Sequence, residues 1–184
     1  RRVQRTKCPC ARRIFTLRQN APCLAKEMET CYNSKVMNIK TSFAIFMCKF
    51  SRFAIRKLGR GGTDMPGRIA LKICPDLLGR LAEGVTTVIV TGTNGKTTTS
   101  RMIEQAMTDS GISFFANKTG ANLLSGVTAE FAANSGTFSG KCRYPYALIE
   151  ADEAAFKMIS TYVDAKTVVV TNVFRDQLDR YGEG

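Results

Sequence analysis

The chain has 184 residues, enough for one domain with a real apolar core or for one domain plus an appendage, and its 44% hydrophobic content excludes a wholly disordered polypeptide. The net charge of +12 is uneven: Lys and Arg against Asp and Glu stand nine to two in residues 1–36, nine to three in 37–84 and nine to ten in 85–184. The basic excess belongs to the first 84 residues, where it fits nucleic acid or an anionic membrane. The balanced remainder is that of an enzyme domain and gives no whole-chain argument for nucleic-acid binding.

Residues 1–36 form a basic extension whose start, "RRVQRTKCPCARRIFTLRQN", is Arg-rich and acid-free like an organelle transit peptide, but it lacks the long apolar run of a secretory signal. We expect this segment to stand outside the working protein. Both ends read as arbitrary, Arg1 in place of Met and Gly184 directly after a motif-like stretch, so a fragment is expected, with translated upstream sequence ahead of Met28 or Met37. Cys8, Cys10, Cys23, Cys31, Cys48, Cys74 and Cys142 are odd in number and show no CxxC pair, and His is absent. The first four fit no common zinc finger or ribbon, so free thiols in a reducing compartment are expected.

Residues 37–84 read as a helical and connecting region. In "TSFAIFMCKFSRFAIRKL", Phe43, Phe46, Met47, Phe50, Phe53 and Ala54 recur at helical spacing, with Lys49, Arg52, Arg56 and Lys57 on other faces. Charge interrupts this run well short of the roughly 20 apolar residues that span a bilayer. The phenylalanine face is therefore expected to meet the domain's own core, or else a membrane interface. "GRGGTDMPG", residues 59–67, reads as a Gly/Pro connector, and Leu77, Leu78 and Leu81 mark a short helix between Pro75 and Gly84.

Residues 85–184 repeat a strand, loop, helix rhythm. Strands are predicted at Val85 to Thr91, Ile112 to Phe115, Tyr146 to Glu150 and Thr167 to Thr171. Helices are predicted from about Thr97 to Ser110, with Met102, Ile103, Ala106 and Met107 as the apolar stripe, and from about Glu153 to Ser160. Continuous apolar strands alternating with helices give an α/β fold around a mainly parallel sheet, with function at the strands' carboxyl ends.

Those ends carry the chemistry. "VIVTGTNGKTTTS", residues 88–100, joins a strand to a helix through a phosphate-binding loop, in which glycines let successive N–H groups converge on anionic oxygens. Gly92, Thr93, Asn94, Gly95, Lys96, Thr97 and Thr98 are the candidate phosphate contacts, with Lys96 neutralising charge and the Thr97 hydroxyl placed for Mg²⁺. The common GxxxxGK[ST] pattern would need Gly where Val90 stands, so this loop is a variant. Glu150, at the end of its strand, is a candidate Mg²⁺ ligand, because that ion takes one or two carboxylates plus phosphate oxygens and water. Asp152 is placed to cap the next helix. Asn172 ends the last strand, so Gly92, Glu150 and Asn172 bring polar groups to one sheet edge.

"VTGTNGKTTT", "IEADEA" and "TNVFRDQLDRYGE" together resemble the Mur ligase family, the ATP-dependent amide-bond formers of peptidoglycan synthesis. "GRGGTDMPGRIALKICPDLL" and "NKTGANLLSGVT" look closest to its MurT-like branch, so that the likeness runs from about Met37 to Gly184. The resemblance implies ATP and Mg²⁺ as cofactors, phosphate contacts from Gly92, Asn94, Gly95, Lys96, Thr97 and Thr98, metal contacts from Thr97 and Glu150, and Asn172 near the γ-phosphate. It further implies phosphorylation of the D-glutamate α-carboxyl of lipid II, ammonia from a GatD-like glutaminase, a cytoplasmic setting and, in a downstream part, a four-cysteine zinc site. Residues 85–184 would then be part of the family's central ATP-binding domain, able at best to bind nucleotide weakly alone, with no catalytic residue assignable. Gln177 stands where many members have a metal-associated His in "DHLDRYG", which counts against an amino-acid-adding member. Asp176, Asp179 and Arg180 read equally well as caps and ion pairs at a helix entry.

Two other readings stay open at this level. One is a tripeptide-synthetase-like or folylpolyglutamate-synthetase-like ligase, against which Gln177 and "GANLLSGVT" speak. The other is a P-loop kinase or NTPase with a basic nucleic-acid-binding region, which predicts steeply salt-dependent binding to DNA or RNA.

Overall fold

A computed structural model describes residues 39–57, 64–117 and 121–172. The reading of residues 1–36, and that of Asp176, Gln177, Asp179 and Arg180, lie outside these residues.

Helix α1, Ile39–Lys57, forms as the spacing predicts, but its orientation corrects the expectation. Thr41, Ala44, Ile45 and Cys48 are buried, whereas Phe43, Phe46, Phe50 and Phe53 are exposed. At about 100° per residue these two sets occupy opposite faces, so both have helical period and period alone does not choose between them. The contacts of two cations decide. Lys49 Nζ donates to the Ser135 carbonyl (2.6 Å) and to Thr137 Oγ1 (3.1 Å), and Arg52 pairs with Glu130 Oε1 at 2.8 Å. Cations thus turn inward because partners await them, and small residues beside them let neighbouring helices approach. Burial pushes the Cys48 thiol up to about 11, which keeps it protonated.

Helix α2, Met65–Ile73, takes in Met65, Pro66 and Gly67 from the end of the segment read as a connector, whose residues 59–63 lie outside those described; Asp64 is at the N-cap position and Pro66 sits in the first turn, where its missing N–H costs nothing. Gly67 lies against the backbone at Ser125. Helix α3, Leu77–Ala82, buries Leu77, Leu78 and Leu81 as their spacing predicts.

Strands β1 (Thr86–Thr91), β2 (Phe114–Ala116), β3 (Tyr146–Glu150) and β4 (Asp164–Val170) form a sheet of order β2-β3-β1-β4. Every pairing is parallel, with Val90 opposite Glu150 and Thr91 opposite Val170. Strand β2 begins later than predicted and β4 earlier, since pairing with β3 and β1 sets their limits. Helix α4, Lys96–Asp109, follows β1, and helix α6, Glu153–Tyr162, follows β3. The stripe predicted on α4 is only half realised: Ile103 and Met107 are half-buried, but Met102 and Ala106 are exposed.

Helix α5, Leu124–Asn134, has no counterpart in the sequence reading. It is buried from Ser125 through Ala132, so it has no polar face to give a periodic signal. Its polar groups find partners within the fold: Thr128 Oγ1 donates to the Leu124 carbonyl, and Glu130 holds Arg52. The core gathers Ile45, Leu77, Leu81, Ile89, Ile149 and Ile159 around it, with Phe115 edge-on to Phe131 at 4.9 Å.

Candidate functional site

Strand β1 runs to Thr91, and Val90 is fully buried in the ladder opposite Glu150. The Gly absent from position 90 is therefore not needed, because the loop starts two residues later. Gly92 turns the chain at φ +130°, and Gly95, at φ +83°, is the N-cap of α4. Only glycine takes these values readily. A Cβ on Gly92 would lie 2.6 Å from the Asn172 carbonyl oxygen and overlap Thr171 Oγ1.

The end of β4 straps this loop in place. Thr93 N–H donates to the Asn172 carbonyl (2.9 Å), and Asn94 N–H to Asn172 Oδ1 (2.8 Å). Thr171 Oγ1 donates to the Asn94 carbonyl at 2.7 Å. Asn172 is thus brought to the loop, as its strand-end position predicts, with its side chain engaged in holding Asn94. Gly95 offers no capping side chain, so the first-turn amides of α4 face the loop mouth with the positive end of the helix dipole. Thr98 is exposed on that turn.

Lys96 Nζ folds back to donate to the carbonyls of Gly92 and Thr93, the latter at 3.1 Å, and lies 3.9 Å from Glu153 Oε2. Thr97 Oγ1 donates to Glu150 Oε1 at 3.2 Å, joining the two candidate metal ligands across 53 positions of sequence. Among the described residues no group of three His, Cys, Asp or Glu is set for a metal ion. A hydroxyl beside one carboxylate is a donor set that suits a hard cation drawing its other ligands from phosphate and water.

Asp152 caps α6, its Oδ1 accepting from Glu153 N–H at 3.1 Å. A hydrogen bond between the two side chains raises the Asp152 carboxyl from its ordinary value, with burial adding to the rise, and lowers that of Glu153 against the opposing effect of burial. Of the two, Glu153 is the member beside Lys96.

One residue of this edge escaped the sequence reading. Asn117 follows β2 and is buried; its Oδ1 accepts from Glu150 N–H (2.7 Å), while its Nδ2 donates to the carbonyls of Glu150 (2.8 Å) and Ala121 (2.7 Å). It fixes the backbone from which the Glu150 carboxylate projects. The signal was its place just past a strand, the same criterion that picked out Glu150 and Asn172. Replacing Asn117 by Leu should leave those three buried groups unpaired and cost about 1–3 kcal/mol. Urea denaturation measures this, and a loss under about 0.5 kcal/mol, the range of ordinary surface changes, would remove the clamp from the account.

Comparison with known proteins follows the same line. Residues 90–184 match the Mur ligase middle domain family. The chain is 37% identical over 147 residues to the lipid II isoglutaminyl synthase (glutamine-hydrolyzing) subunit MurT of Streptococcus pneumoniae, covering 80% of this chain and 32% of that protein. It is 40% identical over 141 residues to the protein of that name from Staphylococcus aureus, covering 76% and 31%. Against the UDP-N-acetylmuramate--L-alanine ligase of Mycobacterium avium it is 35% identical over 108 residues, covering 59% and 19%. The chain spans about a third of the length of the first two relatives.

Proposed function

The chain belongs to the Mur ligase family, and from that premise we propose that it supplies the nucleotide-binding part of a lipid II isoglutaminyl synthase. The observation that carries this choice of acceptor is the 37–40% identity to two such subunits over more than three quarters of the chain.

In this reading the whole protein transfers the γ-phosphoryl group of ATP to the D-glutamate α-carboxylate of lipid II, releasing ADP. Ammonia from a GatD-type glutaminase then attacks the acyl carbon, phosphate leaves, and a proton lost from nitrogen completes the amide. The described residues serve the first half. The loop amides and the α4 N-terminus receive phosphate oxygens. Lys96 exchanges the carbonyls of Gly92 and Thr93 for a phosphate, drawn from them by the greater charge. Thr97 and Glu150 would hold Mg²⁺, which would supply charge neutralisation to the nucleotide. Buried Glu150, with its backbone fixed by Asn117, would offer its carboxylate to the ion from a set position. The reading sets the protein on the cytoplasmic side, where ATP is available. Among the described residues no helix is long and apolar enough to cross a membrane.

The test uses the full-length protein containing this chain, a GatD-type glutaminase, glutamine, Mg-ATP and lipid II, with mass spectrometry of the stem peptide. Glutamine-dependent conversion of D-glutamate to D-isoglutamine is expected. Addition of an amino acid in place of ammonia would transfer the chain to the amino-acid-adding ligases, which its 35% identity to an L-alanine ligase keeps as the second reading. ATP hydrolysis with neither product would reject both.

A further inference from the structure

The face of α1 turned away from the core carries Ile39, Phe43, Phe46, Phe50 and Phe53, spaced four, three, four and three residues apart. These side chains are 88%, 53%, 52%, 56% and 60% exposed, and they form one strip along a helix of 19 residues. Phe46 and Phe50 stack with centroids 6.1 Å apart. An apolar strip of this length marks a contact surface.

The charge around the strip selects its occupant. From Glu29 to Asp64 the sequence contains no other acidic residue. Lys49 and Arg52 are engaged internally, which leaves Lys40, Arg56 and Lys57 exposed on α1, with Lys57 Nζ 5.5 Å from the centre of the Phe53 ring. A second copy of the chain would bring these cations against their own counterparts in either helix direction. Residues 1–36, with nine cations to two acids, complement the strip no better. An anionic bilayer surface does complement it, since phenyl rings enter the acyl boundary while Lys and Arg stems reach the headgroups.

We propose that α1 is a peripheral membrane-docking helix, lying in the plane of an anionic lipid surface with Phe43, Phe46, Phe50 and Phe53 inserted and Lys40, Arg56 and Lys57 at headgroup level. The proposal is independent of the nucleotide site, and failure of either leaves the other standing.

The chain has no Trp, so Phe50→Trp gives a single fluorescent reporter at the strip. Addition of mixed phosphatidylglycerol–phosphatidylcholine vesicles to the full chain should shift its emission to the blue, and pure phosphatidylcholine vesicles should do so far less. In flotation with the mixed vesicles, Phe46→Ser with Phe50→Ser should lower partitioning about tenfold or more. Arg56→Glu with Lys57→Glu should lower it by a similar factor. Both pairs lie outside the core, and circular dichroism checks that the fold persists. Residues 1–36 could bring the chain to anionic vesicles by charge alone, so the ring dependence is decisive. Flotation unaffected by the Ser pair, or unchanged Trp emission in floated protein, overturns the proposal. So does absence of vesicle binding together with a dimer, or a complex with an acidic protein, that the Ser pair abolishes.

Discussion

Mg-ATP affinity should fall about 10- to 100-fold when Lys96 is replaced by Ala, the range expected from losing a charge-assisted hydrogen bond to phosphate. The side chain sits at the start of α4 with its ammonium already inside the loop, against the carbonyls of Gly92 and Thr93. It needs only to turn from those oxygens toward an arriving phosphate. Loop geometry should survive the change, because the straps from Asn172 and Thr171 do not involve Lys96. Calorimetric titration of the full chain with Mg-ATP, beside thermal unfolding without nucleotide, separates the two effects. Affinity equal to that of the parent chain would mean that the loop is not a phosphate site. A fall matched by collapse of the fold would assign Lys96 a structural role. Lys96→Arg should restore charge but only part of the affinity, since a planar guanidinium does not fill the place of a compact ammonium.

The largest loss of stability should come from Gly67→Ala, at about 3 kcal/mol. A Cβ there would lie 2.5 Å from the Ser125 carbonyl carbon and overlap its oxygen, and both atoms are backbone that cannot rotate aside. Helices α2 and α5 must separate, opening the layer that also seats α1. The ordinary helical gain of Ala over Gly, about 1 kcal/mol, is too small to offset this. The midpoint of thermal unfolding should drop by about 6–12 °C. Gly79→Ala is the control: its Cβ would meet Tyr162 Cδ1 at 3.5 Å, ordinary contact, so that substitution on α3 should be neutral or stabilising. Equal midpoints for the parent chain and Gly67→Ala would show that the helices are not held at this distance.

The strand, glycine turn and helix that carry the candidate phosphate loop were legible in the sequence because their physics is local. A β-branched run makes β1, glycines at 92 and 95 supply positive φ, and Lys96 and Thr97 open the helix that follows. Glu150 was legible for a related reason: it ends an apolar run, and strand ends of a parallel sheet share one edge. The three leucines of α3 and the capping place of Asp152 also follow from neighbours in sequence.

Elsewhere local pattern and tertiary structure part company. Two stripes of α1 have the same period, and only inward partners such as Glu130 and the Ser135 carbonyl choose between them. Helix α5 is buried on all sides and so carries no periodic mark. Pro66 and Gly67 look like breakers until one places a first turn and the other a close helix crossing.

The sequence by itself therefore determined the α/β class, the loop and the acidic strand end, each of which depends on residues a few positions apart. The tertiary structure alone decided which face of α1 is left outside, that Asn172 steadies the loop through Asn94, and that Asn117 fixes Glu150. These depend on the strand order β2-β3-β1-β4, which brings together residues tens of positions apart, and no spacing within a single element encodes that order.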